Sequence, residues 1–138
     1  MSDIPEMPVP EPSPETEAFW AAAREERLLV PRCDACGFNW FPPALACPRC
    51  ASEHYSWVEA SGRGTVFTFT VYHRLYDGAF KNKIPYVVAV IELEEGPRLI
   101  SNVVGIAPEK VRCDMAVQVV FDSRRDGIKV PQFVPIEK

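Results

Sequence analysis

Four cysteines, Cys33, Cys36, Cys47 and Cys50, form two C-x-x-C pairs with ten residues between them. Two intervening residues let both thiolates of a pair point at one ion. Gly37, directly after the first pair, suits the sharp turn that brings backbone N–H groups to sulfur. Four soft ligands at this spacing fit a tetrahedral Cys₄ site for one Zn²⁺. Such a site is closed. Every coordination position is protein sulfur, so no place remains for water or substrate, and the expected zinc is structural. A ribbon of about twenty-five residues buries too little apolar surface to hold itself together. Structural zinc contributes about 10–16 kcal/mol of apparent binding energy in comparable peptides. Iron, as in a rubredoxin-like electron carrier, is the alternative occupant, and reduced structural thiols are the metal-free one.

Little else in the chain could do covalent chemistry. His54 lies four residues after Cys50, but the cysteine set is complete without it. Cys113 stands alone in "VRCDMAV" and reads as a buried free thiol. A nucleophile there would need a nearby base, and only His54 and His73 are on offer. No G-x-S-x-G, P-loop or dinucleotide-binding fingerprint occurs. No catalytic residue is assigned.

The elements around the cysteines follow from pattern. With 138 residues, 47% of them hydrophobic, the chain can build a packed core. A net charge of −4 argues against a nucleic-acid partner, which calls for a basic face. No apolar run of membrane-spanning length is present, and the acidic, proline-rich "MSDIPEMPVPEPSPE" is unlike a secretory signal. A cytoplasmic protein is expected, and in that compartment paired cysteines favour metal over disulfide.

Residues 1–13 read as an extended or disordered tail, because four prolines remove backbone donors. Ser13 and Pro14 suit the N-cap and first position of a helix running from 14 to about 27. Phe19, Trp20 and Ala23 give it an apolar stripe, which either covers the chain's own core or docks a partner. Short strands "RLLVPRC" and "FNWFPP" flank the first cysteine pair. The helix and ribbon make a unit over 14–53, and the remainder, 54–138, is a second unit.

That second unit is all strands and turns. "GTVFTFTVYHRL" alternates with period two, whereas "PYVVAVIEL" reads as a strand covered on both sides. "RLISNVVG" returns after an "EEGP" turn, "MAVQVVFDS" follows, and "IKVPQFVP" ends as an edge segment because of Pro131 and Pro135. Five strands in about eighty residues suggest a small closed barrel of the OB type. The expected fold is therefore mostly β: an N-terminal helix, a four-cysteine zinc ribbon and a five-stranded OB-fold barrel.

With those elements in place, the segments "FWAAAREERLLVPRCDACG", "PPALACPRC", "WVEASGRGTVFTFTVYHR", "PYVVAVIELEEGPRLISNVVG" and "MAVQVVFD" together resemble one family. It is the acyl-CoA-associated zinc-ribbon (rubredoxin-like)/OB-fold family, and the resemblance spans about residues 18–135. One departure is Asp114, where relatives usually have glycine. Asp tolerates a left-handed turn better than most residues, so the fold need not change.

The resemblance implies an auxiliary subunit of a thiolase-fold enzyme: a thiolase, a condensing system, or a lipid-transfer-protein-like aldolase of side-chain breakdown such as steroid degradation. A MaoC-type hydratase is a further partner that it implies. The OB domain would hold the CoA part of an acyl-CoA while the partner carries the catalytic residues. CoA needs cations for its phosphates and an apolar or aromatic surface for its arm. "YDGAFKNKIPY" offers Phe80, Lys81, Lys83 and Tyr86, and "SGRG" offers Arg63. The bland alternatives are a solvated loop and a barrel bend at Gly62 and Gly64 that leaves Arg63 merely exposed. Arg98 and Asn102 on the return strand are lesser candidates. Phe19 and Trp20 are the expected partner contact. Two other functions stay open. One is a nucleic-acid-binding module stacking bases on Phe67, Phe69 and Tyr72; the other is a self-sufficient acyl-CoA enzyme.

Overall fold

The computed structural model of the protein describes residues 9–74, 78 and 84–136. The single α-helix among the described residues, α1 (Glu17–Arg24), is shorter at both ends than the sequence predicts. At the start, the Ser13 carbonyl accepts the N–H groups of Thr16 and Glu17, so Pro14 opens a turn and the helix begins one turn later. At the end, Glu26 adopts φ 60°, with Glu26 N–H bonded to Ala23 O and Arg27 N–H to Ala22 O. That pairing is the Schellman termination usually made by glycine, and a glutamate at its centre gives no warning in sequence.

Strand β1 (Leu29–Cys33) enters the ribbon and pairs antiparallel with β2 (Tyr55–Glu59). β2 is not among the expected strands. The expected "FNWFPP" strand is reduced to an isolated bridge between Arg32 and Asn39. Its backbone is occupied in the knuckle instead, with Cys33 N–H bonded to Phe38 O and Trp40 N–H to Pro31 O.

β3 (Arg63–Tyr72), β4 (Tyr86–Leu93), β5 (Arg98–Val103), β6 (Ala116–Ser123) and β7 (Lys129–Pro135) close a barrel in the order β3-β4-β5-β7-β6. This is the expected five-stranded architecture. A bulge between Val66 and Thr68 shifts the β3–β4 register. Val66 is buried, Phe67 is the extra residue and is exposed, and Phe69 and Val71 then pack on the core. One inserted residue therefore reverses the strand's alternation.

Two strands depart from expectation. β4 alternates strictly, burying Val87, Ala89, Ile91 and Leu93 while the residues between them are half-covered. Its β-branched outer face hides that alternation in sequence. β7 is no edge segment: it pairs along its length with β6 and meets β5 at Val103↔Phe133, and Phe133 is fully buried. Pro131 O and Phe133 O both accept bonds from the β5 side, namely from Ser101 Oγ and Val104 N–H. Alternate residues point the same way, so the prolines face the sparsely bonded β5 seam and the β6 ladder loses no donor.

Helix and ribbon are fused to the barrel. Phe19, Leu28 and Val30 share one core with Val66, Ile91, Val117 and Phe133. At the junction, Asn39 Nδ2 donates to Glu95 O, and Ser61 N–H donates to Glu95 Oε2 at 2.8 Å. Gly62 (φ +84°) and Gly64 sit here because nothing larger fits: a Cβ at Gly64 would lie 2.4 Å from Glu92 O.

Candidate functional site

The two knuckles bring Cys33, Cys36, Cys47 and Cys50 together, with all four Sγ atoms within 4.8 Å of one another. Cys33 Sγ lies 3.5 Å from Cys50 Sγ, and Cys36 Sγ lies 3.7 Å from Cys47 Sγ. Four sulfurs at about 2.3 Å from one ion stand about 3.8 Å apart, so the residues fit a tetrahedral zinc. Gly37 takes φ +76° as the turn requires. Cys36 N–H donates to Cys33 Sγ and Arg49 N–H to Cys47 Sγ, each at 3.4 Å.

These bonds set the electrostatics. The N–H of Cys36 is the main cause that holds the Cys33 thiol down at about 6, against the effect of burial. Cys50 accepts an N–H from Ser52, which lowers it, yet its bond with Cys33 and its burial push it up to about 12. One thiolate thus suppresses the next, and only a cation lets all four ionise. Cys33 and Cys47 pack with the buried Trp40, flanked by Phe38 and Tyr55. His54 is exposed and takes no part in the set. Cys113 is likewise exposed, not buried as its apolar neighbours suggest, because it stands in the turn before β6.

A second feature is a cavity of about 270 Å³ where the ends of β4, β5, β6 and β7 meet. Tyr86, Asn102, Arg124 and Gln132 line it, against Val87, Val103 and Ile106. Asn102 Nδ2 donates to Val87 O at 2.8 Å, Gln132 Nε2 donates to Asn102 Oδ1, and Arg124 Nε donates to Asp122 Oδ2. Of the CoA candidates, Tyr86 and the lesser candidate Asn102 lie in this cavity, whereas Arg98 does not. Arg63 does not: it stands at the ribbon junction, bound to Glu94. Phe80, Lys81 and Lys83 lie outside the described residues. Arg124 and Gln132 carry no signal in sequence, since one sits in a turn motif and the other in a strand that reads as peripheral.

The expected partner contact divides. Phe19 is 4% exposed and packs on Trp20 and Phe41 at ring distances of 4.8 and 5.3 Å. Its ring belongs to the chain's own core, while Trp20 is only half-buried. For base stacking, one face of the exposed Phe67 ring is taken by Arg98 at 3.8 Å, and Phe69 is turned to the core.

Comparison with known proteins decides the family. A model described as "ChsH2, rubredoxin-like zinc ribbon domain" matches residues 20–55, and one described as "ChsH2, C-terminal OB-fold domain" matches residues 57–122. The chain belongs to the ChsH2 (DUF35) family. A "DUF35 domain-containing scaffold protein" of Methanocaldococcus jannaschii is 38% identical over 126 residues, covering 86% of this chain and 89% of that protein. A "Probable enoyl-CoA hydratase alpha subunit" of Thermomonospora curvata is 42% identical over 119 residues, covering 86% of this chain. The match takes in 37% of that relative's length. Among solved structures, a chain of the "Ltp2-ChsH2(DUF35) aldolase" superposes with a TM-score of 0.84 at 38% identity, covering 92% of this chain and 98% of that one.

Within the ChsH2 family frame, the departure at Asp114 has a structural answer. Asp114 takes φ 67°, the left-handed conformation a glycine would adopt, and its N–H bonds Val66 O at 2.7 Å. The turn before β6 is kept. No helix among the described residues is long and apolar enough to cross a membrane.

Proposed function

We propose that the chain is a non-catalytic zinc-containing subunit that binds the CoA part of an acyl-CoA and docks on a thiolase-fold protein. The partner would carry out the thioester-dependent carbon–carbon cleavage or formation, as an aldolase or a thiolase. The observation that carries this reading is the near-complete superposition on the ChsH2 chain of an Ltp2 aldolase, at a TM-score of 0.84. The cysteine tetrad supports it, since Cys33, Cys36, Cys47 and Cys50 would hold zinc with no open position. The hydratase name of the Thermomonospora curvata relative supports acyl-CoA thioesters as the substrate class and leaves a MaoC-type hydratase as a second partner.

On this chain, the cavity at Tyr86 is the best place for part of the pantetheine arm. Its apolar walls suit the methylenes and gem-dimethyl group, and the amides of Asn102 and Gln132 suit the arm's peptide-like bonds. Arg124 is already neutralised by Asp122, so the phosphates would need other cations. Lys81 and Lys83 remain the proposal for those, with Phe80 beside them. Arg63, held by Glu94, becomes a poorer phosphate ligand.

The test is to assay thioester-dependent aldol cleavage with this chain alone, an Ltp2-type aldolase alone, and the two co-expressed. Activity only in the co-expressed pair is expected. Turnover by the isolated chain would overturn the reading. Tyr86→Ala should raise the KM for acyl-CoA in the pair without loss of assembly.

A further inference from the structure

We infer that the cleft between ribbon and barrel, flanked by Arg49 and Arg98, is a socket for an acidic side chain on an apolar segment of the protein partner. The inference rests on the subunit reading above and names the contact through which docking occurs. The cleft holds about 400 Å³ and is walled by Phe38, Trp40, Phe41 and Pro48.

Two guanidinium groups stand over aromatic rings here. Arg49 lies 5.7 Å from the centroid of Phe38, and Arg98 lies 3.8 Å from that of Phe67. Stacking on a ring fixes a guanidinium while leaving N–H groups at its edge for a carboxylate. Arg98 uses one edge on Glu92 at 2.8 Å. Arg49 has no carboxylate within 4.0 Å among the described residues. In a chain of net charge −4, a cation with no carboxylate partner among the described residues thus stands at the mouth of an aromatic cleft.

The shape argues for a protein occupant. Small-molecule sites enclose most of their ligand, whereas this cleft is shallow. On the barrel side Arg98 lies over Phe67, which is 47% exposed, and Ile100, 75% exposed, stands two residues along on the same outer face of β5. Arginine with aromatic residues beside exposed apolar side chains is the composition of interface centres. The charge selects the partner's chemistry, since a cationic rim rejects basic surfaces and steers acidic ones.

The metal centre has a role in this geometry. Arg49 belongs to the second cysteine knuckle, and its N–H is bonded to Cys47 Sγ. An ion held by the four cysteines would fix where Arg49 stands against the barrel-borne Arg98. The zinc site would then serve docking as well as folding.

The test co-expresses this chain with Ltp2, and measures pairing for wild type, Arg49→Glu and Arg98→Glu. Zinc content and circular dichroism would verify that each variant is folded. Pairing about tenfold weaker or worse in Arg49→Glu, and wild-type pairing that weakens with salt, are expected. Equal pairing by all three chains would remove the socket and leave the subunit reading standing. Failure of the wild type to pair would overturn both. A parallel titration with CoA alone separates the nucleotide alternative: CoA binding lost in Arg49→Glu, with pairing intact, would make the cleft a small-molecule site and overturn the socket.

Discussion

Arg63 Nε donates to Glu94 Oε1 at 3.0 Å, across the junction where the ribbon's linker enters the barrel. The Arg63 hydrogen bond, then that of Ser61, holds the Glu94 carboxyl below the usual carboxylate range. A depressed folded pKa contributes stability above the unfolded value, about 4.3 for Glu, and that contribution fades as pH falls through the lower folded value. Both side chains are half-exposed, so the effect is small and screened by salt. Wild type is expected to melt slightly higher than Glu94→Gln at pH 7. The difference should begin to shrink below about pH 4.3 and vanish only once pH has passed below the lower folded value, and a gap that stays constant throughout the acid titration would refute the assignment.

Metal removal is expected to act on one half of the molecule first. Trp20, Trp40 and Trp57 all precede the barrel, so tryptophan emission reports on the helix and ribbon. Trp40 packs on Cys33 and Cys47. A zinc chelator under reducing conditions should red-shift the emission and release about one zinc per chain. Amides of Val87, Ile91 and Val117, in the barrel core, should keep their exchange protection. Simultaneous loss of that protection would show that the barrel cannot stand without the ribbon.

Gly64 is the junction's tightest position. A Cβ there would approach the backbone of Glu92, which has no room to yield within the β3–β4 ladder, whereas at Gly62 it would meet a side-chain methyl of Val119 at 2.5 Å. Gly64→Ala is expected to destabilise by about 1–3 kcal/mol, as overpacking typically does. Gly62 adds the cost of φ +84° for any L-residue. Urea denaturation measures both, and a neutral Gly64→Ala would mean that β3 can shift away from β4.

Much of this was legible in the residues. The cysteine spacing identifies the tetrad because C-x-x-C geometry is local. The β-rich runs and the turn residues between them locate all five barrel strands, because that chemistry is also local. What escaped reading depends on distant partners. The bulge at Phe67 reverses the inward face of β3, and no residue type announces it. β7 looks peripheral by its prolines, yet they point at a seam with little pairing. The cavity at Tyr86 gathers Asn102, Arg124 and Gln132 from three separate stretches, so sequence offers one of its polar groups at a time.

Phe19 and Trp20 are neighbours in sequence with different duties, and deleting the whole helix would confound them. Phe19 sits in the shared core against Phe41, so Phe19→Ala should cost about 3–5 kcal/mol in stability. Loss of pairing in that variant would say nothing about an interface. Trp20 is half-buried and meets Phe19 edge-on at 4.8 Å. Its removal leaves the inner ring in place. If the helix contributes to docking, Trp20→Ala should weaken pairing with the proposed thiolase-fold partner by more than its shift in melting temperature explains. Matched losses in the two measurements would reduce Trp20 to a cover for Phe19 and confine docking to the ribbon and barrel.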